Sequence, residues 1–174
     1  SEMAGTLNFS YGMHRQWQLM DGRLRLKAGA LLDANVGFLY NTRNGNNPAQ
    51  ARLSLDLSPS VAAAYHFHLW GKPLMVRYEA SAPLMGVMFS PNYGQSYYEI
   101  FSEGNYDHNV VPTTIGSTPS LRHMLTLDFR LLRTTWRIGY LGDYRQANVN
   151  NLKQHTYTHS LVIGVVKRFT VVKL

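Results

Sequence analysis

The chain has no cysteine, which excludes a disulfide framework and a thiolate metal site. Charged residues make up only 16% of its 174 residues, and the 10 acids are outnumbered by 17 lysines and arginines. Long apolar runs are also missing. The longest, Leu161–Val166, falls far short of the roughly 18 residues of a membrane helix, so a helical membrane protein is excluded. No leader-type segment stands at the start, and the chain reads as a mature or trimmed product. The net charge of +7 would suit nucleic acid, anionic lipid or an anionic solute as partner. Where those charges fall disfavours nucleic acid.

What is present is alternation. In Arg23–Tyr40 one set of alternate residues reads Leu24, Leu26, Ala28, Ala30, Leu32, Ala34, Val36, Phe38, Tyr40. The other set opens with Arg23, Arg25 and Lys27 and includes Asp33 and Asn35. Side chains of a strand alternate between faces, so this stretch is one long two-faced strand. Ordinary strands run about five or six residues, whereas one crossing a bilayer at a tilt needs about nine to eleven.

The same period recurs along the chain and predicts seven strands. They cover 6–18, 23–40, 51–69 (with Pro59 marking a bulge or irregularity), 74–88, 121–131, 135–145 and a last one around 157–169. Asp21-Gly22 predicts a two-residue hairpin turn. Gly71-Lys72-Pro73 predicts another short turn, while Asn41–Gln50 and Gln146–Lys153 read as polar loops. Phe89–Ser120 is expected to be a long irregular loop.

Alternation alone leaves open which face is inside. A soluble lipocalin-type barrel is apolar within, and an outer-membrane barrel is apolar without. Large aromatics gather at strand ends, Trp17, Phe67, Trp136 and Phe169 toward one rim and Phe38, Tyr40, Tyr144 and Tyr157 toward the other. Two such bands are expected of a membrane girdle. The apolar face is almost free of charge, with Arg15 and Lys167 near strand ends. The expected fold is therefore all-β: one domain over 1–174, an antiparallel transmembrane β-barrel with 89–120 as its long extracellular loop. Short turns face the periplasm in such barrels, and single-chain bacterial barrels have even strand numbers. Seven visible strands thus imply a further upstream strand, giving eight in all, or ten.

At SPNYGQSYY (90–98), NYDHNVVPTT (105–114) and GYLGDYRQANVNNLKQHTYTHS (139–160) the chain resembles a Bacteroidota family of unknown function composed of outer-membrane barrels. The resemblance runs from about residue 20 onward and is strongest over Pro83–Arg168. Gly164 to Phe169 is similar to the closing strand of such barrels, although Thr170–Leu174 continue beyond it. The resemblance implies fold and outer-membrane location, with no catalytic residues to transfer.

The polar face carries Arg25, Asp33, Arg52, Asp56, Arg77, Glu79, Asp128, Arg130, Arg137 and Asp143, joined by Arg23, Lys27, Arg122, Arg145 and Arg168. Buried charges must be paired or hydrated, so a salt-bridged network filling a narrow barrel is expected. A basic pore selecting anions is the alternative. His66 and His68 share a face at a spacing that suits a metal, without a third ligand. Glu103, Asp107, His108 and Asn109 match no known cation loop. His123 and His159 have no serine on their face, so no catalytic constellation emerges, and neither cofactor nor metal is expected. Tyr93, Tyr97, Tyr98, Phe101 and Tyr106, set among Gly, Asn and Ser in the long loop, form the candidate partner-binding surface. The expected partners are outer-membrane lipid and another envelope protein. The functional expectation is a structural or partner-binding envelope component, ahead of a narrow anion-preferring channel, a lipocalin-like carrier or a lipid-modifying enzyme.

Overall fold

The computed structural model describes residues 2–43 and 48–167. Strand β1 spans Glu2–Leu19, β2 Leu24–Asn41, β3 Ala49–Leu69, β4 Lys72–Ser81 and β5 Met85–Phe89. Helix α1, Tyr97–Phe101, follows, and then β6 Val110–Thr114, β7 Leu121–Leu131, β8 Thr134–Val149 and β9 Leu152–Val166. All pairings are antiparallel, in the order β1-β2-β3-β4-β7-β8-β9, with β5 on β3 and β6 on β5. The described residues are all-β apart from one short helix. Among the described residues nine strands stand where seven were expected, and β1 and β9 do not pair, so the sheet they form is not closed.

The sheet nevertheless curls. Arg122 Nη1 on β7 donates to Asn8 Oδ1 on β1 at 2.8 Å. Arg145 Nη1 on β8 reaches Asn35 Oδ1 on β2 at 2.7 Å, and Arg52 Nη1 on β3 reaches Thr156 Oγ1 on β9 at 3.2 Å. These strands are not neighbours in the sheet, so the bonds cross a space. The polar face is therefore the concave one.

The convex face is apolar and uncovered. Leu161 is 71% exposed while Asp128, on the concave face, is 4% exposed. The only buried apolar residues among those described are Ile100 and Val149. This sheet has no apolar core of the usual kind.

Pro59 does not bulge β3, which runs unbroken through it for 21 residues. The irregularity lies on the partner. Ser60 pairs with Ser81, but Leu57 pairs with Met85, so two residues of β3 face three residues, Ala82 to Leu84. That surplus residue splits the expected single strand 74–88 into β4 and β5. Because the side-chain period is two, it also reverses which residues face out. Tyr78 faces out on β4, but Met85 and Val87 do so on β5, at 54% and 42% exposure. The proline is tolerated because its carbonyl, accepting from Ala82 N at 3.2 Å, points toward this break. Its missing N–H would have pointed the same way, where the ladder is already interrupted.

Three further expectations change. Leu19 pairs with Leu24, so the first turn is Met20–Arg23 rather than Asp21-Gly22 alone. The loop expected at 146–153 is a tight turn at Asn150-Asn151, both at positive φ, because β8 continues to Val149. Trp70-Gly71 and Leu132-Arg133 make similar turns, so the second short turn precedes the one expected at Gly71-Lys72-Pro73. Such primed turns match strand twist but favour Asn or Gly. The last connection on the long-loop rim is consequently as short as those on the opposite rim.

Candidate functional site

The stretch expected to be irregular, Phe89–Ser120, is a folded platform. It contains the end of β5, all of α1 and β6. Ser96 caps α1, its Oγ accepting from Glu99 N at 3.2 Å while Glu99 Oε2 accepts from Ser96 N at 2.7 Å. That reciprocal arrangement lets so short a helix form. Ile100 is fully buried beneath it. Asn109 Nδ2 donates to Gln95 Oε1 at 2.7 Å, and Gln95 Nε2 donates to Asn105 O at 3.0 Å. From the β8–β9 turn, Asn150 Nδ2 donates to both Ser90 O (2.8 Å) and His108 O (2.9 Å). The platform is therefore tied to the wall at both flanks.

Of the five aromatics singled out there, Tyr93, Tyr98, Phe101 and Tyr106 are exposed. Tyr97 is not part of that surface. Its hydroxyl accepts from Ala51 N at 2.7 Å, and its ring stacks on Phe89 and Phe101. Burial holds the Tyr97 phenol above the usual tyrosine range, ahead of the opposing effects of the Ala51 bond and nearby Arg52. Tyr97 anchors the platform to β3.

The concave face pairs its charges in part. Asp128 sits opposite Arg137 in the register, and Arg137 Nε and Nη2 donate to its two oxygens at 2.6 and 2.8 Å. Arg77 pairs with Glu79, and Arg145 Nε with Asp143 at 3.0 Å. Asp33 accepts from Ser10 Oγ at 2.5 Å, and Asp56 accepts from Ser54 Oγ at 2.7 Å and Asn35 Nδ2 at 3.4 Å. Arg25 bonds His66, so that imidazole nitrogen is engaged. Asp107 pairs with its neighbour His108 in the platform. Among the described residues no three His, Asp or Glu side chains converge as metal ligands would. Sequence reasoning missed Asn8, Asn35 and Thr156. They carry no charge, yet they receive the arginines that span the interior, and their position on the polar face was the only available signal.

On the convex face Trp17, Phe67 and Trp136 lie near the rim formed by the turns at 20–23, 70–71 and 132–133 (the three-turn rim), while Phe38, Tyr40, Tyr144 and Tyr157 lie toward the platform rim. Tyr144 packs edge-on to Tyr157 and against His123 and His159. Phe169 and Arg168 fall outside the described residues.

These features define a class: an all-β protein built on one curled antiparallel sheet, polar inside and apolar outside, with a folded aromatic platform at one rim. Within it, the chain belongs to the family described as Protein of unknown function (DUF3316), whose model matches residues 1–174. No curated protein and no solved structure matches the chain.

Proposed function

We propose that the protein is an outer-membrane β-barrel component of a Bacteroidota envelope, whose platform binds another envelope protein. The observation that carries this reading is the inverted polarity of the sheet. Leu7, Phe9, Leu161 and Ile163 are all exposed on the convex side, while Asp56, Asp128 and Thr126 are buried on the concave side. In water that arrangement exposes a continuous apolar surface, which monomeric soluble proteins avoid. In a bilayer it is the stable one. A lipocalin-like carrier would need apolar side chains on the concave face.

The wall on this reading has eight strands. Six successive antiparallel steps from β1 to β9 make these two edge strands run in the same direction. One antiparallel strand from outside the described residues fits between them and satisfies both edges, as a bilayer requires. Its rim bearing Tyr93, Tyr98, Phe101 and Tyr106 faces outward from the cell, where rigid aromatics on a fixed platform are suited to protein recognition. The three arginine–carboxylate pairs inside are structural ties on this view, and an anion-preferring channel is the second reading.

Two experiments test the proposal. The protein is expected to sediment with outer membranes after alkaline carbonate washing, and to migrate differently on gels before and after boiling. Recovery as a soluble monomer without detergent would sink it. A photo-crosslinking residue at Tyr98 is expected to capture one envelope protein, and one on the concave face, at Ser58, is expected to capture none. Equal capture from both positions would refute the platform's role.

A further inference from the structure

The interior is divided by charge. Toward the platform rim lies a cavity of about 700 Å³ lined by Asp33, Asp56, Glu79 and Asp143 against Arg52, Arg122 and Arg145. Toward the three-turn rim lies one of about 1120 Å³ whose only acid is Asp128. That acid is committed to Arg137, and Arg77 on the same wall is committed to Glu79. Arg25 (bonded to His66), Lys27, Arg130 and Arg133 line it with Lys167, and among the described residues none of those first four has a carboxylate within ion-pair distance. Those four come from β2, the end of β7 and the β7–β8 turn, so the fold brings separate elements to one hollow. Arg25 and Lys27 are half-buried on its wall, whereas Arg130 and Arg133 stand exposed at its mouth.

A hollow lined by one sign of charge concentrates its field and draws counter-ions inward. Guanidinium groups pair with phosphate oxygens in a two-toothed geometry, and a lysine adds a point charge. We propose that this basic hollow is a binding site for a phosphate-bearing anion, held between the inner pair Arg25 and Lys27 and the outer pair Arg130 and Arg133. The ligand chemistry is a phosphomonoester or pyrophosphate group, free in solution or at the head of a lipid. This goes beyond the channel reading, since a site retains its anion at equilibrium and requires no passage. It rests on the concave face being polar, and does not depend on the platform's partner or on the cellular membrane.

The test uses the full chain, folded in zwitterionic detergent, with inorganic pyrophosphate titrated calorimetrically and phosphatidic acid added in micelles as a second arm. Saturable pyrophosphate binding below about 1 mM is expected, weakening in about 0.5 M salt. Combining Arg25→Gln with Lys27→Gln should weaken it at least about tenfold. Arg122→Gln, in the other cavity, should leave it within about twofold. Should the inner variant fail to fold, Arg130→Gln with Arg133→Gln at the exposed mouth reads the same loss. Phosphatidic acid that displaces pyrophosphate identifies a lipid head as one source of the group, and pyrophosphate binding without such displacement identifies free phosphate. No binding of either probe, or equal losses from the Arg122 and the Arg25/Lys27 variants, would overturn the proposal. Membrane fractionation reads location separately, so failure here is distinguishable from failure of the barrel reading.

Discussion

Arg137→Met is the perturbation that most directly measures what holds the interior together. Asp128 is 4% exposed and receives two parallel bonds from Arg137, at 2.6 and 2.8 Å, from the residue directly opposite on β8. Removing the guanidinium strands a carboxylate in the wall. Losing one partner of a buried pair costs about 3–5 kcal/mol, while replacing both by apolar groups is close to neutral. Arg137 retains 22% side-chain exposure, so the lower figure applies, about 3 kcal/mol. At a slope of about 2 kcal/mol per molar urea, the unfolding midpoint should fall by about 1.5 M. Asp128→Leu combined with Arg137→Met should return to within about 1 kcal/mol of the parent, giving a large coupling energy. The assay is reversible urea unfolding in lipid vesicles followed by tryptophan fluorescence. A single-variant cost below about 1 kcal/mol, or a double variant whose losses simply add, would refute the argument that this pair is a closed structural tie.

Gly86 faces Asp56 across the β3–β5 ladder, and a Cβ there would lie 2.4 Å from both Asp56 Oδ1 and Leu55 O. Gly86→Ala should cost about 1–3 kcal/mol and loosen the platform, read as faster amide exchange at Val87 and Phe89. Tyr97→Phe removes the Ala51 hydrogen bond and should cost about 1 kcal/mol in thermal unfolding. The raised Tyr97 pKa also has a sign. Its stabilisation is complete below the unfolded tyrosine value of about 10 and is lost as pH rises toward the folded value, so Tyr97→Phe should flatten the alkaline loss of stability. Leu132 and Arg133 occupy left-handed positions at φ 50° and 64°. Replacing them by Asn-Gly should therefore stabilise the protein by about 1–2 kcal/mol in the same urea assay, and destabilisation would mean that Leu132 has a contact role at this rim.

Alternation made β2, β3, β7 and most of β8 legible, because a period of two survives wherever one face meets a different medium from the other. It failed where the period was interrupted. The surplus residue at Ala82–Leu84 has no composition signal of its own, since Pro83 is as compatible with a strand end as with a bulge. The fold of 90–109 was hidden for another reason: its order comes from amide side chains, Asn92, Gln95 and Asn109, whose sequence signature is that of a loop. The charged residues of the interior were visible as a set, but their partition was not. Whether Arg122 meets Asp143, its neighbour in register, or Asn8 across the interior depends on curvature, which no local pattern encodes.

The junction opposite Pro59 gives one strand two independent attachments. Below it β3 is stitched to β4 and through that to β7; above it the same edge carries only β5 and β6, which pair with nothing else among the described residues. The small hairpin thus joins the sheet by one strand seam, and the loop it carries is pinned on the other flank by the Asn150 side chain. Its length and side chains can change during evolution while the circumference set by the long strands stays constant, so recognition at the rim and the bore beneath it are free to diverge separately.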